Sequence, residues 1–118
     1  MRVTIIASGS AGNVTLLQAG KTAVLIDIGL SAKRINGHLN THGVEANTLA
    51  GVLLTHEHGD HIGGNEGLRA ATGAKVFAHS GAGGRIPDID VGLGAGVLLR
   101  IGRTVEARVL DTPGHTRS

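Results

Sequence analysis

Three imidazoles and the carboxylate of Asp60 fall within the six residues His56-Glu57-His58-Gly59-Asp60-His61. This is metal-ligand chemistry, because imidazole nitrogen and carboxylate oxygen are what a zinc ion takes when no thiolate is offered. The chain has no cysteine, which also excludes a disulfide framework. In an extended segment positions 56 and 58 project to the same side, so their two rings can meet one ion. Gly59 lets the backbone turn and aim Asp60 and His61 at an adjacent position. At the histidine and aspartate content of this chain, a chance match to the pattern is about one in a thousand. Another histidine, His115, follows Pro113-Gly114.

The elements around the motif are legible from pattern. Val52–Leu54 is a short apolar strand that runs directly into Thr55 and the histidine segment, placing the ligands at a strand end. Before it, Val3–Ile6, Val14–Ala19 and Thr22–Ile28 read as strands. The last two join at Gly20-Lys21, a hairpin-like break. The continuously apolar Ala23-Val24-Leu25-Ile26 is expected in a strand covered on both faces. Ser31 is placed to N-cap a helix from Ala32 to about His42, with Ile35 and Leu39 on one face and Gly43 as its stop. A second helix is expected from about Asn65 to Ala71, then a strand at Lys75–Ala78. The glycine-rich stretch 81–96 is expected to be loop, and Gly102-Arg103 to join the strands Val97–Ile101 and Thr104–Leu110. Strands alternating with helices, together with hairpins, indicate α/β with a mixed sheet.

The chain's 118 residues suit one domain, and it carries a mild net charge of +2. That charge is explained by a solubilising surface and does not call for a nucleic-acid partner. Phe77 is the only aromatic residue, and there are 20 glycines. The core must therefore be built from Val, Ile, Leu and Ala, which bury less area per residue than rings do. The opening MRVTIIASGS is too short for a signal peptide's apolar region, and no stretch reaches the ~18 apolar residues of a membrane span. A soluble cytoplasmic protein without membrane contact is expected. His38 and His42, spaced i, i+4 on the first helix, read as a solvent face, and His79, at a strand end, as an incidental loop histidine rather than a cleft residue. Gly81–Gly84 is no P-loop, since no Gly-Lys-Ser/Thr follows.

Thr55-His56-x-His58-x-Asp60-His61 resembles the signature of the metallo-β-lactamase-fold hydrolases. Pro113-Gly114-His115-Thr116 is similar to that family's next metal-ligand segment. The resemblance covers essentially the whole chain. It implies that His56, His58 and His115 hold one Zn2+ and that Asp60 and His61 belong to a second, giving one or two zinc ions per chain. Three neutral imidazoles plus water form an open tetrahedral site, where bound water has a pKa near 7. Metal-bound hydroxide is then the nucleophile, and Asp60 the catalytic group that orients it. Asp27 matches the family's strand-end aspartate, which braces the metal loop from behind.

Finer features diverge. Ser8-Gly9-Ser10-Ala11-Gly12-Asn13 with Ile26-Asp27-Ile28-Gly29-Leu30-Ser31 is similar to the YycJ/WalJ branch, whose members resemble nucleases or phosphodiesterases. The segment from Leu99 through Pro113-Gly114-His115-Thr116 looks more like the glyoxalase II and lactamase branches. The leading expectation is a zinc-dependent phosphodiesterase. A glyoxalase II-like thioesterase or a β-lactamase-like hydrolase is the alternative, and a zinc-binding scaffold without useful turnover the reading from another class. A small-molecule or nucleic-acid phosphodiester would meet Lys33, Arg34, Arg69, Arg85, Arg100, Arg103 and Arg108. Without aromatic stacking platforms, nucleic acid would be held weakly.

The resemblance reaches only the first half of a full-length member, so the expected fold is half of an αββα sandwich: a mixed sheet with helices on one side. Residues 1–118 then form a truncated or minimal domain. No residue matches the family's metal-bridging aspartate or last histidine. Half a sandwich leaves an apolar sheet face exposed, and pairing of two chains through that face, as a homodimer, is the expected remedy.

Overall fold

A computed structural model of the chain describes residues 1–103 and 105–116. Thr104, expected to open the last strand, and Arg117 and Ser118 lie outside the described residues. Six strands form one sheet in the order in which they occur in the chain. They are β1 (Arg2–Ala7), β2 (Val14–Ala19), β3 (Thr22–Ile26), β4 (Gly51–Leu53), β5 (Val76–His79) and β6 (Val91–Leu93). The pairings β1–β2 and β2–β3 are antiparallel, while β3–β4, β4–β5 and β5–β6 are parallel. The mixed α/β sheet expected from the hairpins is therefore present. No helix among the described residues is long and apolar enough to cross a membrane.

Helices α1 (Ala32–Thr41) and α3 (Asn65–Thr72) carry the first two of the three parallel crossovers, with a short α2 (Gly59–Ile62) between them. Ser31 Oγ accepts from Arg34 N at the start of α1, and Gly43 ends it with φ +71°, a conformation that costs glycine nothing. Ile35 and Leu39 of α1 and Leu68 of α3 are buried against Leu16, Leu25, Val52, Val76 and Ala78 from one face of the sheet. Paired residues share a face, so Leu17, Val24, Ile26, Leu53 and Phe77 line the opposite one. Over that second face folds a separate hairpin of β7 (Leu98–Ile101) and β8 (Val105–Arg108). Its Leu99, Ala107 and Val109, with Leu53 and Phe77 of the sheet, line a cavity of about 260 Å³. Cover is incomplete toward β1, where Val3 is 60% and Ile5 69% exposed.

Two expectations need correction. The third strand stops at Ile26 rather than Ile28, because Asp27 takes φ +58° and cannot continue a strand. Residues 81–96 are not loop throughout: Ser80–Ala82 form a 3-10 turn, and β6 extends the sheet. Glycine content hides β6 in the sequence, since its middle residue is Gly92.

Asp90 locks this added edge. Its carboxylate accepts from Val76 N (2.7 Å) and from both terminal nitrogens of Arg69 on α3 (2.7 and 2.9 Å). The Val76 amide, then Arg69, hold its pKa below the ordinary aspartate value. A depressed pKa gives stability that is present above the unfolded value and lost as pH falls through the folded one. Asp90→Ala should cost about 1–2 kcal/mol near neutrality in urea unfolding. The gap to the parent should narrow on acidification, and a gap independent of pH would refute the assignment.

Candidate metal centre

The histidine segment leaves β4 at the sheet's carboxyl end, where parallel strands deliver side chains to a common crevice. Residues 54–58 are irregular, and α2 starts after His58. His56 and His58 therefore precede the helix, while Asp60 and His61 ride on it. The His115 segment arrives from β8 on the other side. One nitrogen each of His56, His58 and His115 lies within 4.8 Å of the others. The ring centroids of His58 stand 4.8 Å from His56 and 4.7 Å from His115, with edges turned to faces.

Asp27 organises the loop behind these rings. It is 6% exposed, and Oδ1 accepts from Thr55 N at 2.8 Å. Thr55 Oγ1 donates its single proton to the same carboxylate (2.8 Å to Oδ2) and so must accept from His56 Nδ1–H at 2.9 Å. His61 Nδ1–H donates to Asp27 Oδ2 at 2.7 Å. In the neutral form, each ring therefore presents an unprotonated Nε2. In His56 that atom is buried and has no hydrogen-bond partner among the described residues. A buried acceptor left unmatched is costly, and a cation is the partner that a lone pair among three imidazoles fits. Burial, then His61 and His58, lower the pKa of His56, so the ring is neutral at pH 7 and its lone pair available. A non-glycine residue at positive φ costs about 1–3 kcal/mol and persists where its surroundings fix it, as Asp27 is fixed here.

Asp60 and His61 stay outside the three-histidine group, although the His61 ring lies 3.9 Å from that of His56. Their free edges meet Asn13. Its Nδ2 donates to Asp60 Oδ2 at 3.0 Å and lies 3.3 Å from His61 Nε2. Asn13 N also donates to Asp60 O, and Gly29 N to Asn13 O. The turn at residues 8–13 is thus a buttress for α2. Gly9 N is taken by Asn13 Oδ1, and Gly12 N by Gly9 O, so these amides are not offered to a phosphate. Sequence reasoning does not single out Asn13 as a site residue; its one signal is an asparagine closing a glycine turn directly before a strand.

Of the basic side chains named as phosphate contacts, three are paired: Arg69 with Asp90, Arg85 with Glu57 and Arg100 with Glu106. Lys33 and Arg34 lie on α1, while Arg103 and Arg108 belong to the hairpin over the opposite face. His38 lies in α1 and His42 at its cap, outside the cluster.

The model of the metallo-beta-lactamase superfamily matches residues 7–117. The chain belongs to the metallo-β-lactamase superfamily.

Relatives and solved structures fit that membership. The chain is 54% identical over 78 residues to a hydroxyacylglutathione hydrolase of Polaromonas sp., covering 66% of this chain and 30% of that protein. It is 55% identical over 67 residues to the enzyme of the same name from Nitrosococcus oceani, covering 57% and 26%. A metallo-β-lactamase of Cronobacter sakazakii with a HARLDQ motif superposes with a TM-score of 0.80 at 23% identity, over 97% of this chain and 53% of that one. BJP-1, a subclass B3 metallo-β-lactamase of Bradyrhizobium japonicum, gives 0.75 at 20% identity, over 88% and 47%. These likenesses show the shared fold. The chain spans less than a third of those curated relatives and about half of those solved structures. In this metallo-β-lactamase-superfamily chain, the six-strand sheet with its helices on one face is the half-sandwich that the resemblance implied.

Proposed function

We propose that this chain carries a zinc-dependent hydrolase centre whose substrate is a thioester. The observation that supports a metal centre is the convergence of His56, His58 and His115 around a buried, unpartnered His56 Nε2. The thioester reading is supported by hydroxyacylglutathione hydrolases that are about half identical over more than half of the chain. The phosphodiester reading loses ground because the turn at 8–13 spends the amides of Gly9 and Gly12 internally and three of its seven proposed cationic contacts are ion-paired.

When bound, zinc supplies Lewis acidity and a nucleophilic water at neutral pH. His56, His58 and His115 would hold it. Asp27 fixes the ring of His61 directly and that of His56 through Thr55, so each keeps its proton on Nδ1. Asp60, its Oδ2 held by Asn13, would be the carboxylate that orients a water at the loaded centre. A second ion at Asp60 and His61 remains part of the proposal.

Zinc per chain, measured by elemental analysis, tests the centre; hydrolysis of a thioester, a chromogenic phosphodiester and a β-lactam, each compared with a His58→Ala control, tests the substrate. One zinc per chain, or two where Asp60 and His61 hold a second ion, and thioester turnover lost in the control are expected. Faster phosphodiester cleavage would restore the other reading. Zinc binding without turnover above the control would leave a scaffold. Self-association through the face carrying Val3 and Ile5 is also proposed, supported by their exposure, and light scattering giving a single chain mass would refute it.

A further inference from the structure

The three ligating histidines come from two separate segments, and the second is poorly anchored by itself. Residues 109–116 form no regular element and are largely exposed. Val109 still pairs through its backbone with Gly96 and Val97. Past it, the arm meets the sheet at Asp111, whose Oδ1 lies 3.4 Å from His79 Nε2 at the end of β5. His79 is itself held, since Gly81 N donates to its Nδ1 at 3.0 Å. With Nδ1 accepting, the neutral ring carries its proton on Nε2, toward Asp111. The Gly81 carbonyl in turn accepts from Arg85 Nη2 at 2.8 Å, and Arg85 Nε pairs with Glu57 at 3.2 Å. Glu57 stands between His56 and His58. A β-carbon at Gly81 would lie 2.9 Å from His79 Nδ1, so a glycine is what lets the ring seat there.

We propose that Glu57, Arg85, Gly81, His79 and Asp111 form a strut that sets the position of His115 relative to His56 and His58. Arg85 and His79 act as positioning residues and touch neither metal nor substrate. The glycine-rich stretch 80–86 thereby spans the gap between the two ligand-bearing segments. Each contact is partly exposed, so each alone adds little to fold stability. The effect belongs to the geometry of the metal centre, where outer partners of metal ligands typically alter affinity about 10–100-fold. The inference rests on the metal-centre reading above.

The full chain loaded with Co2+ serves as the probe, comparing the parent with Glu57→Gln, Asp111→Asn and the double variant. Zinc affinity is measured by competition, the visible cobalt spectrum reports ligand geometry, and thermal melts of the metal-free proteins monitor folding. Each single variant should weaken zinc about 10-fold and lower the intensity of the tetrahedral cobalt bands, with melts close to the parent. The double variant should lose little more than either single, because one break suffices to release a strut. Arg85→Lys should recover part of what Arg85→Met loses. Additive losses would mean two unrelated local charges, and unchanged spectra would mean no positioning role; either overturns the strut while leaving the metal centre standing. A parent chain that binds no cobalt would overturn the metal-centre reading, and the strut with it.

Discussion

Asp27→Ala is expected to cost about 3–5 kcal/mol in chemical denaturation, because it removes the acceptor of a buried, hydrogen-bonded pair. Thr55 N and His61 Nδ1 each lose their partner, and the replacement must also hold the left-handed backbone at φ +58°. Asp27→Asn separates conformation from charge. Asparagine tolerates that backbone and still offers one oxygen to Thr55. Its amide group cannot take the Nδ1 proton of His61 while also donating, so that ring is no longer held with its proton on Nδ1. The asparagine variant should therefore fold but bind zinc about 10–100-fold more weakly. Zinc affinity equal to the parent would show that the Asp27–His61 contact does not prepare the metal centre.

The second large effect is expected at Gly29. A β-carbon there would overlap the carbonyl oxygen of Asp60 and lie 2.6 Å from Asn13 N. Both are backbone atoms, so no side-chain rotation relieves the clash, and the buttress between the 8–13 turn and α2 must open. Gly29→Ala should lower the melting temperature by at least about 10 °C, from about 3 kcal/mol of overpacking. Gly59→Ala is the matched control: it sits in α2 with nothing within 4 Å of its β-carbon, and should be neutral or mildly stabilising. Equal melts for the two variants would refute the close-packing argument.

How much the sequence reveals depends on how local each signal is. Ser31, Ile35, Leu39 and Gly43 define α1 within a dozen residues, and the structure places the helix there. The expected convergence of His56 and His58 needs only a strand end and a two-residue step. Non-local contacts leave no such trace. Asn13 meets Asp60 across 47 positions, and nothing in a glycine-rich turn announces which distant carboxylate it will hold. The Glu57–Arg85 pair is similar: both look like surface charges, one as an unnamed position in the motif and the other as a phosphate contact. β6 escapes notice because a strand of three residues centred on glycine carries no periodicity. Its place is set by Asp90 and by parallel pairing to β5.

Because every strand of the main sheet pairs with its predecessor in the chain, the sheet can grow from β1 toward β6 as residues emerge during synthesis. Pairings between near neighbours close small loops and form early. The first two imidazoles are thus in place at the end of β4 well before the third, which follows β6 and the whole β7–β8 hairpin. Capture of the proposed metal by all three would report that the preceding chain has been made and folded.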